Sequence, residues 1–386
     1  MASDVQVWRS GGALGRRGFL VGTASAAALA GCGYFPPEQG DAYAPWDFPG
    51  DVRDPAELAV RAAILAASPH NTQPWLFTIE GEVIDVHADL DRELGTMDGL
   101  RRELYLGLGC AIENLAVAAA HAGAAGTVEL LPDPDDDGHV ARVTLGSGAA
   151  GDGSRFVSIA ARHTHRGPYA DLPLDAGTLD QLRGFAGAEP DVGLVLVTDA
   201  DGRGRVRSGT IAATEAIIAD EEMSRDSFRW FRQTAAEIAE HRDGVTLDAA
   251  GLGAVSSVFG KLGDGPGRAK SDRYWLRNTR GAQTTGAGFV MLTTPRLEDR
   301  GQQLRCGRVF QRIALWATGL GLGLQPLNQM PERRDRELVR GLAPEFTELL
   351  AGFTGEAHVQ MMFRVGLPWA ETHASPRRPL DWVVTP

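Results

Sequence analysis

Apolar residues recur every three or four positions along several stretches of the chain, which is the spacing of helices that bury one face. The first stretch, residues 55–67, follows Asp54 and Pro55, an N-cap and a first-turn residue that predict where the helix begins. The stretches 101–122 and 305–320 are the most apolar, so we expect them in the core. Further helices are predicted over residues 154–162, 179–185, 203–240 and 344–352.

Alternating apolar and polar residues predict strands between these helices. Hairpins are predicted at residues 75–79 with 83–88 and 127–131 with 139–145, and single strands at 193–197, 289–293 and 361–366. The helices and strands occur in separate blocks. This order predicts an α+β fold with helices packed on an antiparallel or mixed sheet.

The composition limits the classes of partner. The 386-residue chain is 43% hydrophobic with a formal net charge of −12, so a sizeable core can form, whereas nucleic acid and anionic membrane surfaces are unfavourable partners. Only two lysines, Lys261 and Lys270, are present, so contacts with a phosphate must come from arginine. About 355 residues remain after the N-terminal segment described next, which predicts two lobes.

Residues 1–31 are predicted to be a targeting segment rather than part of the fold. Arg16 and Arg17 are typical of a twin-arginine export signal, and the apolar stretch after them is too short to span a bilayer. That stretch ends in Leu-Ala-Gly-Cys, which resembles a lipobox in which Cys32 would carry a lipid. Residues 32–50 are rich in proline and glycine and predict a tether. We therefore expect a cell-envelope lipoprotein, exported by the twin-arginine pathway and attached to the membrane only by its lipid. An ordinary N-terminal tail with chance arginines is the alternative.

The other two cysteines, Cys110 and Cys306, lie in apolar surroundings at the two predicted core helices. Two buried free thiols are the favoured interpretation, and a disulfide stays open because the protein is expected to be exported. No cysteine–histidine spacing indicates a metal site. The aspartates of residues 133–137 predict a solvated loop tip, with a calcium site as the weaker alternative because the EF-hand pattern is missing.

Residues 68–75, Ser-Pro-His-Asn-Thr-Gln-Pro-Trp, are the most informative polar segment. The amide side chains of Asn71 and Gln73 can both donate and accept hydrogen bonds, which suits a heteroaromatic ring with alternating C=O and N–H groups. The two prolines stiffen the turn. A polar helix end followed by a core strand from Trp75 is the alternative interpretation.

This segment resembles the Asn-x-Gln-Pro-Trp turn of the nitroreductase family of FMN flavoproteins. Residues 162–166, Arg-His-Thr-His-Arg, resemble that family's phosphate-binding Arg-x-Ser/Thr-x-Arg element. Residues 307–328 resemble its core helix and the loop beside the flavin ring, and residues 364–380 resemble its closing strand and C-terminal basic pair. The resemblance covers roughly residues 55–386. The order departs from the family pattern, because the arginine element here follows the Asn-x-Gln-Pro-Trp turn instead of preceding it.

The chain also resembles itself. Residues 109–123 align without gaps on residues 307–321, with glycine at the start and after the last turn of each segment. Two unrelated core helices of similar composition are the alternative explanation. The repeat resembles the duplicated, Acg-like subgroup of the family, which implies that residues 51–150 and 151–386 are two fused halves. Because ordinary members are homodimers with FMN at the interface, we expect the fused chain to be monomeric.

The resemblance implies a site for FMN whose chemistry takes place at the flavin N5 atom, with no catalytic side chain assigned. The expected FMN contacts are Arg162, Thr164, Arg166, Arg377 and Arg378 for the phosphate, Asn71 and Gln73 for the ring edge, and Pro326 with the backbone of Leu327 and Asn328 near N5. A solvated basic turn at 162–166 and a backbone-binding role for Gln73 are the alternatives. His70, His163 and His165 are candidates for relaying protons, and a simple hydrogen-bonding or surface role is the alternative for each.

The function implied is that of an exported FMN-dependent oxidoreductase. It would pass electrons through N5, in a ping-pong cycle, to a small aromatic or quinone-like acceptor. The donor would be NAD(P)H or, since NAD(P)H is scarce outside the cytoplasm, a membrane reductant. One alternative is a non-catalytic lipoprotein that binds flavin under a closed lid, for which the glycine-rich residues 241–285 are the candidate. Another is a surface lipoprotein that has lost FMN.

Overall fold

The computed structural model describes residue 38 and residues 40–136, 138–148, 151, 153–250 and 267–385. The predicted export signal at Arg16 and Arg17 and the predicted lipidation site at Cys32 lie outside the described residues.

The helices and strands follow in chain order. The helices are α1 (Pro55–Ala63), α2 (Arg102–His121), α3 (Ser154–Ala161), α4 (Ala176–Arg183), α5 (Ala200–Ala219), α6 (Glu221–Phe228), α7 (Ala235–His241), α8 (Arg268–Asn278), α9 (Arg300–Gly319), α10 (Gln329–Arg340) and α11 (Glu345–Thr354). The strands are β1 (Trp75–Glu80), β2 (Val83–Ala88), β3 (Thr127–Leu130), β4 (His139–Thr144), β5 (Gly193–Val197), β6 (Phe231–Arg232), β7 (Val245–Thr246), β8 (Gly288–Thr294), β9 (Gly323–Pro326) and β10 (His358–Gly366).

Two four-stranded antiparallel sheets share one strand order. The first sheet runs β1-β2-β4-β3 and the second runs β5-β8-β10-β9. Helix α2 connects β2 to β3 in the first half, just as α9 connects β8 to β9 in the second. This order of sheet strands around a core helix occurs in both halves, although in the second half further elements lie between β5 and β8 and between β9 and β10. It confirms the predicted α+β fold, and it agrees with a chain of two fused halves.

The two core helices, α2 and α9, cross at a pair of glycines. A Cβ atom on Gly109 would lie 2.1 Å from the carbonyl oxygen of Leu304, and one on Gly307 would lie 2.1 Å from the carbonyl oxygen of Leu106. The backbones can approach this closely only because both positions lack a side chain. The gapless alignment pairs these two glycines, so the crossing lies at equivalent positions of the two halves.

The thiols of Cys110 and Cys306 are buried and unpaired beside this crossing. Cys110 Sγ donates a hydrogen bond to the Gly307 carbonyl oxygen at 3.3 Å. Burial raises the pKa of both thiols, that of Cys110 to about 12, so both remain protonated. The interpretation as free thiols is confirmed. Within the described part of the chain, α2 is the one helix long and apolar enough to cross a membrane, and it is mostly buried inside the protein.

Helix α10 was not predicted, because its sequence is highly charged. Its charges are paired rather than solvated: Arg336 bonds to Asp220 at 2.8 Å and to Glu222 at 2.5 Å, and Arg334 bonds to Asp335 at 2.6 Å. Ion pairs with other helices replace the apolar face that periodicity would detect. Helix α8 was also not predicted. None of its residues is fully buried, so its sequence has no apolar stripe.

The predicted helix over residues 203–240 is divided into α5, α6 and α7. Asp220 separates the first two, since its backbone is extended and its side chain caps α6 by accepting from Met223 N at 3.3 Å. The acidic loop forms a solvated tip in which Asp133 and Asp136 accept backbone N–H groups. No group of three His, Cys, Asp or Glu side chains among the described residues could hold a metal ion.

The segment predicted to be a tether packs against the body at its C-terminal end. Ala42 and Tyr43 are buried, and Trp46 Nε1 donates to the Ser375 carbonyl oxygen at 2.8 Å. The chain's last residues also return to the first half, where Phe77 N donates to Val383 O at 2.8 Å. Proline and glycine content indicated a flexible segment, but it could not reveal these distant partners.

Candidate functional site

The turn at residues 68–75 is built from unusual backbone conformations. His70, Asn71 and Gln73 have φ angles of 44°, 57° and 54°, in the left-handed region that L-residues rarely adopt. Such conformations persist only where the surroundings hold them, and they concentrate at functional sites. Inside the turn, Gln73 N donates to Ser68 Oγ at 3.1 Å.

The side chains of Asn71 and Gln73 hold this turn to the C-terminal segment. Asn71 donates to the carbonyl oxygens of Pro376 at 2.9 Å and Gly244 at 3.1 Å, and its Oδ1 accepts from Arg377. Gln73 donates to the Arg242 carbonyl oxygen at 2.9 Å and accepts from the backbone N–H of Arg378 at 2.8 Å. The two amides clamp distant segments, and neither lines the cavity described below. Their predicted contact with a flavin ring edge stays a prediction.

Three arginines meet without a carboxylate. Arg162 and Arg377 both donate to the Leu65 carbonyl oxygen, at 3.1 and 3.5 Å, and Arg166 donates to the Ala249 carbonyl oxygen at 3.0 Å. No ion pair with any of the three arginines occurs in the part of the chain that the structure describes.

The electrostatics of this arginine cluster favour an anion. Burial lowers the pKa of Arg162 and of Arg166 to about 10, and burial together with the other two arginines lowers that of Arg377. The Nε atoms of Arg162 and Arg377 are buried, and neither has a hydrogen-bond partner among the described residues. Because guanidinium groups stay charged in proteins, this crowding is a cost that a phosphate would offset.

The fourth arginine predicted to contact the phosphate, Arg378, does not line the cavity. It pairs with Asp89 at 3.4 Å and donates to the carbonyl oxygens of Gln73 at 3.2 Å and Trp382 at 3.0 Å. Arg378 therefore already has an acidic partner, unlike the three clustered arginines, and its contact with a phosphate stays a prediction.

A cavity of about 390 Å³ opens beside the arginine cluster. This volume falls in the range of roughly 300–1,000 Å³ that is usual for cofactor and small-molecule sites. The predicted residues that line it are Thr164, Arg166, Pro326 and Asn328. The turn contributes Ser68, Pro69 and His70, and α2 contributes Glu103, Gly107 and Cys110.

Gly107 lets the turn and α2 approach each other at the cavity wall. A Cβ atom there would lie 2.9 Å from Pro69 Cδ. Arg305 of α9 lies two residues before Gly307, as Gly107 lies two residues before Gly109, and Arg305 pairs with Asp191 at 3.6 Å. The two halves therefore differ at this position in the space they leave.

Residues 325–329, from the end of β9 to the start of α10, contribute further lining residues. Leu327 N already donates to the Met362 carbonyl oxygen at 2.8 Å, and Leu327 does not line the cavity. Its backbone N–H is thus taken up by β10, which differs from its predicted role near N5. Gln329 lines the cavity, and its buried Oε1 accepts no hydrogen bond from the described residues, so it can receive a ligand N–H. No local signal in the sequence marked Gln329.

The three histidines have different surroundings. His70 lines the cavity and is 3.2 Å from Ser227 Oγ, and burial beside Arg166 lowers its pKa to about 4. His163 packs edge-on against Trp46 at 4.5 Å between ring centres, and its pKa is lowered to about 3 by burial. His165 Nε2 donates to the Ala370 carbonyl oxygen. Only His70 lies on the cavity, and it is neutral at pH 7.

Two carboxyl groups that the sequence did not single out also line the cavity, Glu103 of α2 and Glu332 of α10. Helix α8 covers another side with Tyr274, Trp275 and the cations Lys270 and Arg277. In the region predicted to be a lid, residues 241–285, the cavity is lined by α8 together with Val245, Leu247, Ala250 and Gln283. Residues 251–266 of this region lie outside the described part.

Known proteins place the chain in a family. A Mycobacterium tuberculosis protein that carries the name NAD(P)H nitroreductase Acg is 30% identical over 339 residues, which are 86% of this chain and 95% of that protein. The chain belongs to the nitroreductase family. A second M. tuberculosis protein with the name NAD(P)H nitroreductase is 28% identical to this nitroreductase over 344 residues, 86% of this chain and 90% of that protein. No family model matches the chain.

Solved structures of nitroreductases are also similar to parts of this nitroreductase. The FMN-dependent nitroreductase NfnB of Mycobacterium smegmatis, in complex with NADPH, is 14% identical, with a TM-score of 0.38 over 60% of this chain and 97% of that one. A nitroreductase of Desulfitobacterium hafniense with bound FMN is 13% identical, with a TM-score of 0.36 over the same shares of the two chains.

Proposed function

We propose that this nitroreductase binds FMN in the cavity and uses it to transfer electrons from NAD(P)H to a small aromatic or quinone-like acceptor. The observation that carries the proposal is the cluster of Arg162, Arg166 and Arg377, which has no carboxylate partner among the described residues and meets the cavity at Arg166. A phosphate would supply the missing negative charge, and the adjoining cavity would take the rest of the cofactor.

The residues present fit FMN. Arg166 and Thr164 would bind the phosphate, with Arg162 and Arg377 behind them as further donors. The ring would lie between the 68–70 turn and the 325–329 loop, with Gln329 and Asn328 as polar partners. When bound, FMN supplies the redox chemistry, and the protein orients it and excludes water. Asn71 and Gln73 would support FMN binding indirectly, because they hold the turn in its strained conformation.

Flavin retention tests this assignment. Protein purified without denaturation should carry the absorbance of a flavin, and Arg166→Ala should weaken FMN binding by about 10- to 100-fold, because a hydrogen bond to a charged group is worth about 1.5–3 kcal/mol. The matched control is Arg183→Ala, since Arg183 is exposed and pairs only with exposed Asp180. Titration calorimetry with FMN measures both. Equal FMN affinities of the Arg166→Ala and Arg183→Ala variants would contradict a contact between Arg166 and the phosphate.

A second candidate function is retention of flavin without turnover. Helix α8 covers the cavity with Tyr274 and Trp275, so it could close the face on which a substrate would stack. Stopped-flow reduction by NAD(P)H, followed by turnover of a quinone, separates the two functions. A flavin that binds but is never reduced would favour the second, and parallel lines in initial-rate plots would support the ping-pong cycle.

We further propose that the chain is exported and held at the cell envelope by lipid on Cys32. The proposal rests on the order of Arg16, Arg17, the apolar stretch and Cys32 in the sequence. Cell fractionation of the Arg16→Lys/Arg17→Lys double variant and of Cys32→Ala tests it. The first change should retain the protein in the cytoplasm, and the second should release it from the membrane fraction. In that compartment a membrane reductant would replace NAD(P)H as donor.

A further inference from the structure

A group of buried charges with an excess of carboxylates lies at the cavity wall. Its carboxyl groups are Asp98, Glu103, Glu332 and Asp335, and its cations are Arg102 and Arg334. If every member were ionised, four negative charges would face two positive ones without water. Burial makes such an excess costly, so protons must neutralise part of it.

The cations are shared unequally among the carboxyl groups. Arg102 pairs with Asp335 at 2.8 Å and with Glu103 at 3.1 Å, and Arg334 also pairs with Asp335. Asp98 accepts the backbone N–H groups of Glu103 and Leu104, at 3.0 and 2.9 Å. Among the described residues, Glu332 has no ion pair with any cation.

Glu332 therefore depends on Glu103. Both carboxyl groups line the cavity. Burial, and after it the charge of Glu103 and a side-chain hydrogen bond with Glu103, raise the pKa of Glu332, whose buried Oε2 has no hydrogen-bond partner among the described residues. Two carboxylates cannot bond to each other, because both are acceptors, so this contact requires a proton on one of them. Only 5% of Glu332 and 4% of Glu103 is exposed, so bulk water screens the two carboxyl groups little, although both line the cavity.

The pair is linked to the loop beside the expected ring position. The Asn328 side chain donates to Glu103, while its Oδ1 accepts from Met362 N at 2.9 Å, which fixes the orientation of the amide. Glu103, Glu332 and Asn328 all line the cavity. The shared proton thus sits at the wall of the cavity rather than deep in the core.

We propose that Glu103 and Glu332 share one proton and form a proton-donating site for the acceptor that is reduced in the cavity. This inference rests on the proposed function. Reduction of a quinone to a hydroquinone takes two electrons and two protons. A hydride from the nicotinamide donor accounts for both electrons and one proton, and the pair supplies the second proton as its shared O–H bond breaks. Solvent then reprotonates the pair.

The surroundings suit this role at neutral pH. Burial raises the pKa of Glu103 to about 7 and raises that of Glu332 well above its ordinary value. The charged groups that act on the pair are Asp98, Arg102 and Asp335. The other charged or titratable groups that line the cavity are His70, Cys110, Arg166, Lys270, Tyr274 and Arg277. The cations favour release of the proton and the carboxylates oppose it, so the pair can both hold and give up a proton near pH 7.

Infrared spectroscopy tests the shared proton without any flavin chemistry. The difference spectrum between wild type and Glu332→Gln at pH 7 should contain the C=O band of a protonated carboxylic acid, shifted by exchange into D₂O. Glu348→Gln is the matched control, because Glu348 is exposed and outside the cavity. Absence of the band from wild type would overturn the inference, whether or not the protein turns over.

Kinetics test whether the proton is used. In the FMN-loaded protein, Glu332→Gln keeps a donor to Glu103 but carries no transferable proton. We expect quinone turnover to fall at least tenfold, since a general acid typically contributes 10²–10⁴-fold. The fall in rate of wild type at high pH should also disappear in the variant, while FMN affinity stays within twofold. Unchanged turnover and an unchanged pH profile in Glu332→Gln and in Glu103→Gln would overturn the inference.

The two proposals fail in different ways. A protein that never retains FMN contradicts the proposed function, and the infrared difference would still decide whether the pair holds a proton. If the Glu103→Gln and Glu332→Gln variants bind FMN and reduce quinone normally, the proposed function stands and the proton-donating site is contradicted.

Discussion

At the scale of single residues, the role of a side chain follows more from its hydrogen-bond partners than from its chemical type. Asn71 and Gln73 have the polar groups to bind a flavin ring, yet their atoms are engaged with residues 242–244 and 376–378. Glu103 and Glu332 had no sequence signal, yet they meet at the cavity. What an amide or carboxyl group does depends on which distant groups surround it.

The clamp role of Asn71 predicts a loss of stability before any loss of flavin contact. Asn71→Ala removes three side-chain hydrogen bonds, one of them to buried Arg377, so we expect a loss of about 2–4 kcal/mol in the free energy of unfolding of the flavin-free protein. Denaturant unfolding measures it. Asn71→Gly tolerates the left-handed backbone and should lose a similar amount. An unchanged stability with weaker FMN binding would instead support the ring contact.

The raised pKa of Glu332 predicts how stability changes with pH. The folded protein keeps a proton that the unfolded chain releases above the ordinary pKa of 4.5, so this stabilising contribution is lost as the pH rises toward and through the folded pKa. Glu332→Gln does not titrate. We expect it to match wild type near pH 5 and to become more stable than wild type at alkaline pH. Thermal unfolding across this range measures the difference, and a constant gap would contradict the assignment.

At the scale of elements, the close approach of the two core helices depends on glycines, which have no side chain. The crossing of α2 and α9 is possible only at Gly109 and Gly307, where any Cβ atom would collide with backbone oxygen. Apolar periodicity correctly predicted both helices, because each buries most of its surface in the core. Helices α8 and α10 escaped prediction because charges, rather than an apolar stripe, hold them in place.

Two glycine substitutions should have opposite effects. Gly109→Ala places a methyl group 2.1 Å from the Leu304 carbonyl oxygen and should destabilise the protein by at least about 2 kcal/mol. Gly204→Ala, in α5 with no atom within 4 Å of the new Cβ, should stabilise it by about 0.5–1 kcal/mol, because alanine is the better helix former. Denaturant midpoints compare them. A tolerated Gly109→Ala would mean that α2 and α9 can separate without cost.

At the scale of the whole molecule, the two halves are joined by segments that cross between them. The C-terminal residues pass from the second half to the edge of β1, where Val383 and Thr385 bond to Phe77. The same segment brings Arg377 to Arg162 and closes the turn through Asn71. A single chain can thus assemble one cavity from both halves.

Removal of residues 376–386 should abolish the contacts of the C-terminal segment with β1 and with the turn at 68–75. We expect a lower melting temperature and loss of FMN retention, because the turn at 68–75 loses its partners and the arginine cluster loses Arg377. Arg377→Ala in the full-length chain is the control, since it keeps the tail on β1 and should lower FMN affinity with a smaller change in melting temperature. Thermal unfolding and flavin absorbance measure both. A truncated protein with normal stability and normal flavin content would contradict the clamp.

The sequence by itself determined the α+β class, most helices and strands, the repeat and the arginine element, because periodicity and short motifs are properties of neighbouring residues. The tertiary structure decided that Asn71 and Gln73 clamp rather than line the cavity, that Leu327 gives its N–H to β10, and that Arg378 pairs with Asp89. It also brought Glu103 to Glu332. Hydrogen-bond partners and burial depend on segments far apart in the chain, and no local pattern records them.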